Sequence, residues 1–243
     1  TDIVQSTGAG QITITANGVG ASITEFDDDG RIGMGADSNL LLTATNAIGG
    51  SGTATLNTSV AQVEATAGAG GVFITNTGDL IVGNVDGGAS GISATGSNIE
   101  VTASQALTTD EEVINSGTVA VNIVLTSTDN GGNNDDLMIN DRVALSNAAA
   151  TGDITLNAGN DLVVTDSLLA DDIQNAGTGQ FIANVTRDLS IGTDVDVVTT
   201  GGMIDLNVGR DASLGTDASV SSSGGAIDLA VSGTVSLAAQ ASI

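Results

Sequence analysis

The chain has 243 residues, of which 29 are acidic and four are basic, so its formal net charge at pH 7 is −25. A surface of this charge opposes binding to the phosphate backbone of nucleic acids and to anionic membranes. The sequence contains no His, Cys, Lys or Tyr, which excludes His or Cys zinc sites, Schiff bases and Ser–His triads.

The proportion of apolar residues is sufficient for a sizeable core. Hydrophobic residues make up 40% of the chain, and because there are only three Phe and no Trp or Tyr, this core has to be aliphatic. No Pro-rich or charged linker divides the sequence, which indicates a single domain over residues 1–243. No apolar run is long enough to span a bilayer and no N-terminal segment resembles a signal peptide, so we expect no membrane insertion.

The first predicted strands lie in QITITA (11–16) and LLLTAT (40–45), where apolar and polar residues alternate. A period of two is typical of half-buried β-strands. Ile12 and Ile14 of the first segment correspond to Leu40 and Leu42 of the second. The acidic segment between these strands, near residues 25–38, is predicted to be a loop insertion.

The same alternation follows in GGVFITNTGDLIVG (70–83) and in SNIEVTASQALTT (97–109). Val72 corresponds to Ile99 and Leu80 to Leu107, with the same spacing in both cases. A second polar and acidic stretch then interrupts the pattern, and we predict a loop insertion near residues 126–142. Residues 1–150 are therefore expected to form irregular coils.

Residues 151–243 repeat more regularly. MIDLNVGRDASLGTDASV (203–220) is followed by AIDLAVSGTVSLAAQASI (226–243), with apolar residues at every matched ladder position. A further step of the same length toward the N-terminus reaches QFIANVTRDLSIGTDVDVV, and a slightly longer step reaches DITLNAGNDLVVTDSLL. This alignment places Leu168 over Val195, and the extra residues of the longer step are predicted to lie near DDIQNAG (171–177).

Each repeat contains three short alternating segments separated by Gly, Asn, Asp, Ser and Thr. A tandem unit of this kind pairs each strand with its equivalent one repeat later, in parallel. The sequence therefore predicts an all-β fold, a parallel β-helix (β-solenoid) with three short strands per coil and about 23–28 residues per coil. Aliphatic side chains would stack inside the coils at a spacing of about 4.8 Å.

Acidic clusters are the remaining candidates for chemistry. Asp27, Asp28 and Asp29, or Asp135 and Asp136, are candidates for the carboxylate pair of a glycoside hydrolase, or for Ca²⁺ ligands on Gly-containing turns. We favour solvated acidic turns, because a sugar cleft usually offers aromatic surfaces and this chain has few. We thus predict no catalytic residue, no cofactor and no metal.

A second pattern concerns the aligned turns of the regular repeats. Asp161, Asp188 and Asp211 fall at one turn position, and Arg187 stacks over Arg210 beside them. We expect exposed Arg–Asp pairs between neighbouring coils, each contributing at most about 1 kcal/mol.

The segments GDITLNAGNDLVV, GGMIDLNVGRDASL, GGAIDLAVSGTVSL and GGVFITNTGDLIVG resemble the degenerate repeats of filamentous-haemagglutinin-type proteins. These are very large bacterial surface and secreted adhesins built on right-handed β-helices. The resemblance is clearest over residues 150–243 and implies a right-handed solenoid in an extracellular fibre or stalk at the bacterial cell surface. The chain departs from the family in having no Pro, hence no Asn-Pro-Asn-Gly element, and no Arg-Gly-Asp.

The last residues, ASI (241–243), complete a ladder position. We therefore expect the coil to continue into more repeats or to stack head to tail on another copy of the chain. A surface glycan or protein is the other expected partner. Two alternatives stay open: a carbohydrate-active β-helix that uses an Asp pair, and a calcium-stabilised surface-layer or matrix protein.

Overall fold

The computed structural model describes residues 3–6, 10–25, 31–34, 38–88, 90–131, 134–165 and 171–243. They form an all-β parallel solenoid of about nine turns, with about 24 residues per turn and three strands per coil. The predicted fold class is thus confirmed. The only helical segment in these ranges is a short 3₁₀ turn at Gly52–Ala54.

Three faces run along the solenoid, and each face contains one strand from each regular coil. Face 1 begins with short N-terminal strands and becomes regular from β8 onward. Its strands are β1 (Ile3–Ser6), β3 (Arg31–Met34), β5 (Ala47–Ile48), β6 (Leu56–Ser59), β8 (Gly71–Asn76), β11 (Ile99–Ala103), β14 (Ile123–Ser127), β17 (Ile154–Ala158), β20 (Phe181–Val185), β23 (Ile204–Val208) and β26 (Ile227–Val231).

Faces 2 and 3 consist of the second and third strands of each coil. Face 2 contains β9 (Leu80–Val82), β12 (Leu107–Thr109), β15 (Leu137–Ile139), β18 (Leu162–Val164), β21 (Leu189–Ile191), β24 (Ala212–Leu214) and β27 (Val235–Leu237). Face 3 contains β10 (Ser90–Ala94), β13 (Glu112–Asn115), β16 (Val143–Leu145), β19 (Ile173–Asn175), β22 (Asp196–Thr199) and β25 (Ser219–Ser222).

Near the N-terminus, faces 2 and 3 merge into one sheet. Strands β2 (Gln11–Ala16), β4 (Asn39–Ala44) and β7 (Gln62–Thr66) pair in parallel, with Ile12 opposite Leu40 and Ile14 opposite Leu42, as predicted. The first half of β7 then pairs with β9 and its second half with β10. Strand β7 is therefore the branch point from which the two faces diverge.

The core consists of aliphatic ladders that follow the repeat. Ile204 lies opposite Ile227, and Leu206 opposite Leu229, in adjacent parallel strands. In the interior of the solenoid the stacked side chains are almost completely buried; Leu206 is 1% exposed. The ladder containing Leu206 consists of Leu56, Ile74, Val101, Leu125, Leu156, Ala183, Leu206 and Leu229. The predicted inward alignment is thus confirmed.

The interruptions differ from those expected. Residues 128–136 connect β14 to β15, whereas residues 159–161 connect β17 to β18. Part of the segment predicted to be an insertion, 126–142, is strand β15. Its Leu137 and Ile139 point inward and are fully buried, so this part belongs to the regular coil. At 25–38, residues 26–30 and 35–37 lie outside the described residues, and β3 lies between them.

The extra residues of the longer step were predicted near residues 171–177, and the strand register places them directly before and after a strand in this segment. Residues 173–175 of this segment form β19, which pairs with β16 and β22. The number of residues from Ile173 to its partner Val197 is close to the regular repeat length. The number from Ile154 to its partner Phe181 is the longer repeat length. Most of the extra residues therefore precede Ile173. Leu168, which was aligned with Val195, lies outside the described residues.

A column of glycines at one corner permits the coils to stack closely. Gly152, Gly179, Gly202 and Gly225 precede successive strands of face 1. A Cβ atom added to Gly202 would lie 1.7 Å from the carbonyl oxygen of Gly179, and one added to Gly179 would lie 1.8 Å from that of Gly152. Only Gly is compatible with this separation, which explains the repeated Gly at the start of the segments quoted above.

Candidate functional sites

Aspartates at the corner between faces 1 and 2 bond each coil to the next. Each carboxylate of this aspartate ladder accepts a hydrogen bond from a backbone N–H one coil later. The pairs are Asp136 with Asp161 N (3.2 Å), Asp161 with Asp188 N (3.0 Å), Asp188 with Asp211 N (3.2 Å) and Asp211 with Thr234 N (2.7 Å). The acidic turns are therefore structural elements.

Two arginines bridge the aspartate ladder. Arg187 donates from Nε and Nη2 to Asp161, at 2.8 and 2.5 Å, and Arg210 makes the same two-point contact with Asp188. The expected Arg–Asp pairs between coils are thus confirmed. The hydrogen bond from Arg210 is the main cause that lowers the pKa of Asp188, against its partial burial. The arginines are well exposed, so these pairs contribute little to stability.

Asp135 and Asp136, the candidates for a carboxylate pair, have different surroundings. Asp135 is 2% exposed and its Oδ2 accepts a hydrogen bond from Asn130 N at 3.1 Å, inside the 128–136 connection. The Asp136 Oδ1 accepts from Asn160 Nδ2 at 2.6 Å and belongs to the aspartate ladder. The two carboxylates thus bind different partners and each stabilises a turn. Asp27, Asp28 and Asp29 lie outside the described residues.

A shallow groove on the outer side of face 1 runs parallel to the solenoid axis. Its volume is about 730 Å³, and its centre is a column of Asn157, Asn184 and Asn207. Asn184 Nδ2 donates to Asn157 Oδ1 at 2.9 Å, and Asn207 Nδ2 donates to Asn184 Oδ1 at 3.3 Å. Asp129 is the only charged residue among those that line this amide groove. The groove is therefore a nearly neutral strip on an acidic molecule.

Carboxyl groups of Glu64, Asp86 and Glu111 form a third site, the carboxyl cluster. Glu64 lies on β7, at the branch point, and is 3% exposed; Glu111 precedes β13 and is 8% exposed. Glu64 Oε1 accepts hydrogen bonds from the backbone N–H groups of Val85 and Asp86, at 2.5 and 3.0 Å. Glu111 Oε1 accepts one from Asn84 N at 3.2 Å, while its buried Oε2 has no hydrogen-bond partner.

The environment raises the pKa of Glu64. Burial is the largest cause, and a side-chain hydrogen bond with Asp86 and the charge of Glu111 act in the same direction. Hydrogen bonds from Val85 and Asp86 N–H oppose the shift but do not cancel it. This is the behaviour expected of a carboxyl group that shares a desolvated site with other carboxyls.

Sequence reasoning missed the carboxyl cluster. In QVEAT, Glu64 lies between the inward residues Val63 and Ala65, so alternation assigns it to the solvent side. The 84–88 turn covers this outward position. One sequence signal was available: Gly83 and Gly91 leave space for Glu111, whose Cγ would lie 2.8 Å from a Cβ added to Gly83.

Within the described ranges no group of three or more acidic side chains is placed to hold a metal ion. No helix in the same part of the chain has the length and apolar character needed to cross a membrane. Comparisons of the chain with protein-family models, with curated proteins and with solved structures give no match.

Proposed function

We propose that this chain is a non-catalytic structural and adhesive segment of an extracellular fibre at a bacterial surface. The observation that carries the proposal is the regular stacking of coils over the described residues. Core ladders, the aspartate ladder and the amide column all repeat from coil to coil along one axis. At a strand spacing of about 4.8 Å, about nine turns make a rod on the order of 45 Å long.

The repeat pattern supports the assignment to a fibre. Filamentous-haemagglutinin-type repeats, which these segments resemble, imply a β-helix, and the chain forms a β-solenoid. Fold alone does not establish function, so the bacterial surface and the adhesive role are part of the proposal. The acidic surface agrees with a position outside the cell, in contact with water and cations.

The last coil provides a surface for axial assembly. Val235 and Leu237 on β27 are 44% and 52% exposed, whereas their partners one coil earlier, Ala212 and Leu214, are 1% and 2% exposed. A further coil would bury these side chains and pair the strand edge. We propose that this coil comes from more repeats of the same polypeptide or from the first coil of a second copy. A head-to-tail contact of this kind produces an open filament.

Substitutions on β27 test axial assembly. Leu237→Lys puts a charge on the surface to be covered, and Ser236→Lys puts the same charge on the exposed lateral side of the same strand. By light scattering and electron microscopy, we expect the wild-type chain and Ser236→Lys to form rods of increasing length with concentration, and Leu237→Lys to stay monomeric. A wild-type chain that is monomeric at all concentrations would exclude stacking on a second copy and leave only continuation into more repeats. Equal assembly of the two variants would show that β27 is not the contact surface.

The amide groove is the proposed adhesive surface. Its asparagine and hydroxyl side chains can bond to the hydroxyl groups of an uncharged glycan without the repulsion that an anionic one would meet. Binding of neutral oligosaccharides, followed by NMR, should weaken in Asn184→Ala and not in Ser221→Ala on face 3. The carbohydrate-active alternative predicts turnover of acidic polysaccharides, which a separate activity assay of the wild-type chain would reveal.

A further inference from the structure

The carboxyl cluster has no role in the fibre proposed above. It lies at the branch point, where β7, the turn between β9 and β10, and the residue before β13 meet. Two of its members, Glu64 and Glu111, are more than nine-tenths buried. Burial of two like charges is costly unless a ligand or a proton compensates them.

The turn over the cluster is shaped to present N–H groups to these carboxyls. Gly83 and Asn84 have positive φ values of 114° and 61°, the left-handed conformation that directs successive N–H groups toward one side. The N–H groups of Asn84, Val85 and Asp86 all donate to Glu64 or Glu111. The side chain of Asn84 also donates to Asp110 Oδ2, at 2.9 Å, which ties the turn to the neighbouring coil.

These N–H groups do not satisfy all the buried oxygens. Glu111 Oε2 has less than 1 Å² of accessible surface and no partner. Asp86 is exposed, its N–H donates to Glu64 at 3.0 Å, and its own Oδ1 accepts a hydrogen bond from Gly88 N at 2.6 Å. A third acidic residue thus adjoins the two buried carboxyls, and a bound proton lowers the repulsion among them. The described arginine side chains, Arg142, Arg187 and Arg210, pair with other carboxylates.

We propose that the carboxyl cluster is a proton-binding site, in which a proton bound by its buried carboxyls holds the exposed turn at residues 83–88 closed over the branch point. Loss of this proton adds a negative charge to a desolvated cluster of acidic side chains. Asp86 lies on the exposed turn, so the repulsion is relieved when the turn moves away. Glu64 and Glu111 are fixed on the solenoid and become accessible to water.

The direction of the pH dependence follows from the environment. Burial and the neighbouring carboxyls raise the pKa of Glu64 in the folded chain. The stabilising effect of its proton is therefore fully present below the pKa of an unfolded Glu, about 4.3, and is lost as the pH rises through the higher folded value. Acid thus closes the turn, and neutral conditions open it.

Amide hydrogen exchange at Val85 and Asp86, measured by NMR from about pH 4 to about pH 8, tests the proposal. We expect the protection factors of these two amides to fall by about tenfold or more as Glu64 ionises. In Glu64→Gln, which is neutral at every pH, protection should not change with pH. Glu100→Gln, on the outer side of face 1, is the matched control and should behave as the wild type.

Three outcomes would overturn the proposal. The first is protection at Val85 and Asp86 that does not change with pH in the wild type. The second is a Glu64 pKa, followed by the NMR signal of its carboxyl carbon, that is at or below the pKa of an unfolded Glu. This measurement uses the wild type, so it tests the proposal even if Glu64→Gln does not fold. The third is saturable closure of the turn by CaCl₂ at neutral pH, which would make the cluster a cation site.

Discussion

Short polar side chains at the corners of the solenoid bond one coil to the next. Besides the aspartate ladder, Asn122 Oδ1 accepts from Asp153 N at 2.8 Å, and Asp153 Oδ1 accepts from Gln180 N at 2.7 Å. Between faces 2 and 3, Asp172 Oδ2 accepts from Asp196 N at 2.9 Å. Asp and Asn are common in turns because they bond to nearby backbone. Here the bonded backbone lies one coil away, so these residues also align the coils.

The glycine column predicts that a single added methyl group destabilises the solenoid. A Cβ on Gly202 would overlap the carbonyl oxygen of Gly179, a backbone atom that cannot rotate away. Gly202→Ala should therefore separate two coils and lower the free energy of unfolding by about 3 kcal/mol or more. Urea denaturation followed by circular dichroism measures the change.

Gly18→Ala is the control for this prediction, because its added Cβ would make only an ordinary contact, 3.6 Å from Ala21 Cβ. We expect its effect to stay within about 0.5 kcal/mol. Equal denaturation midpoints for the two variants would show that the corner can relax around a side chain.

The Arg210–Asp188 pair predicts a response to acid. Arg210 holds the pKa of Asp188 below its usual value, so the contribution of Asp188 to stability is present above the pKa of an unfolded Asp, about 3.9, and is lost as the pH falls through the lower folded value. Asp188→Asn should have a lower melting temperature than the wild type at neutral pH, and the difference should shrink in acid. Asp205→Asn makes the same change in charge on the outer side of face 1, and its difference in melting temperature from the wild type should not shrink in acid. If it does shrink, the response of Asp188→Asn is due to net charge and not to the pair with Arg210.

At the scale of the strand, the position of a leucine along the axis decides its contribution. Leu206 and Leu229 occupy the same ladder and pair in register, but Leu206 has a coil on each side, whereas Leu229 is only partly buried. Leu206→Ala should cost about 2–5 kcal/mol, since it leaves a cavity between two coils, and Leu229→Ala less than about half as much.

Urea denaturation of these two variants provides its own control, because the substitution is chemically identical. Solenoid coils unfold with neighbour-dependent cooperativity, so transition midpoints are compared under the same conditions. End-to-end stacking would cover the last coil in solution and make the loss of unfolding free energy at Leu229 equal to that at Leu206. Both substitutions are therefore made in the Leu237→Lys variant, in which this stacking is expected to be absent.

The strands and their partners were predictable where the alternation of apolar residues and the period of the sequence repeat agree. The regular step of the repeat aligned Ile204 with Ile227 because both conditions hold over residues 203–243. The extra residues were predicted in the correct region but not at exact positions, since the polar turn chemistry is the same on both sides of Ile173. The carboxyl cluster was not predictable from alternation, because Glu64 is outward by register and is buried by a turn from another coil.

For the molecule as a whole, acidic side chains outnumber basic ones by a wide margin, and the coils bring them into columns. Carboxylates one strand spacing apart, about 4.8 Å, lie within the screening length of about 8 Å at physiological ionic strength, so they repel one another. Arg187 and Arg210 neutralise part of this repulsion at Asp161 and Asp188.

We therefore predict that melting temperature rises with added NaCl, because salt screens the repulsion that favours unfolding. CaCl₂ should act in the same direction at lower concentration, without saturating at a stoichiometric ratio. Calorimetry at matched ionic strength separates the two salts. A melting temperature that does not respond to either salt would exclude like-charge repulsion as a significant contribution, and a saturable response to Ca²⁺ alone would support the calcium-stabilised alternative.

The hydrogen bonds between parallel strands lie along the axis of the rod, and this determines how the rod responds to a pulling force. Tension along the axis acts on the bonds of one coil boundary at a time, so the rod is expected to open coil by coil. Each coil occupies about 4.8 Å of the axis but contains about 24 residues, which can extend to about 80 Å. A segment placed in a surface fibre would thus lengthen more than tenfold per coil under load, and the same register would guide each coil back when the load is removed.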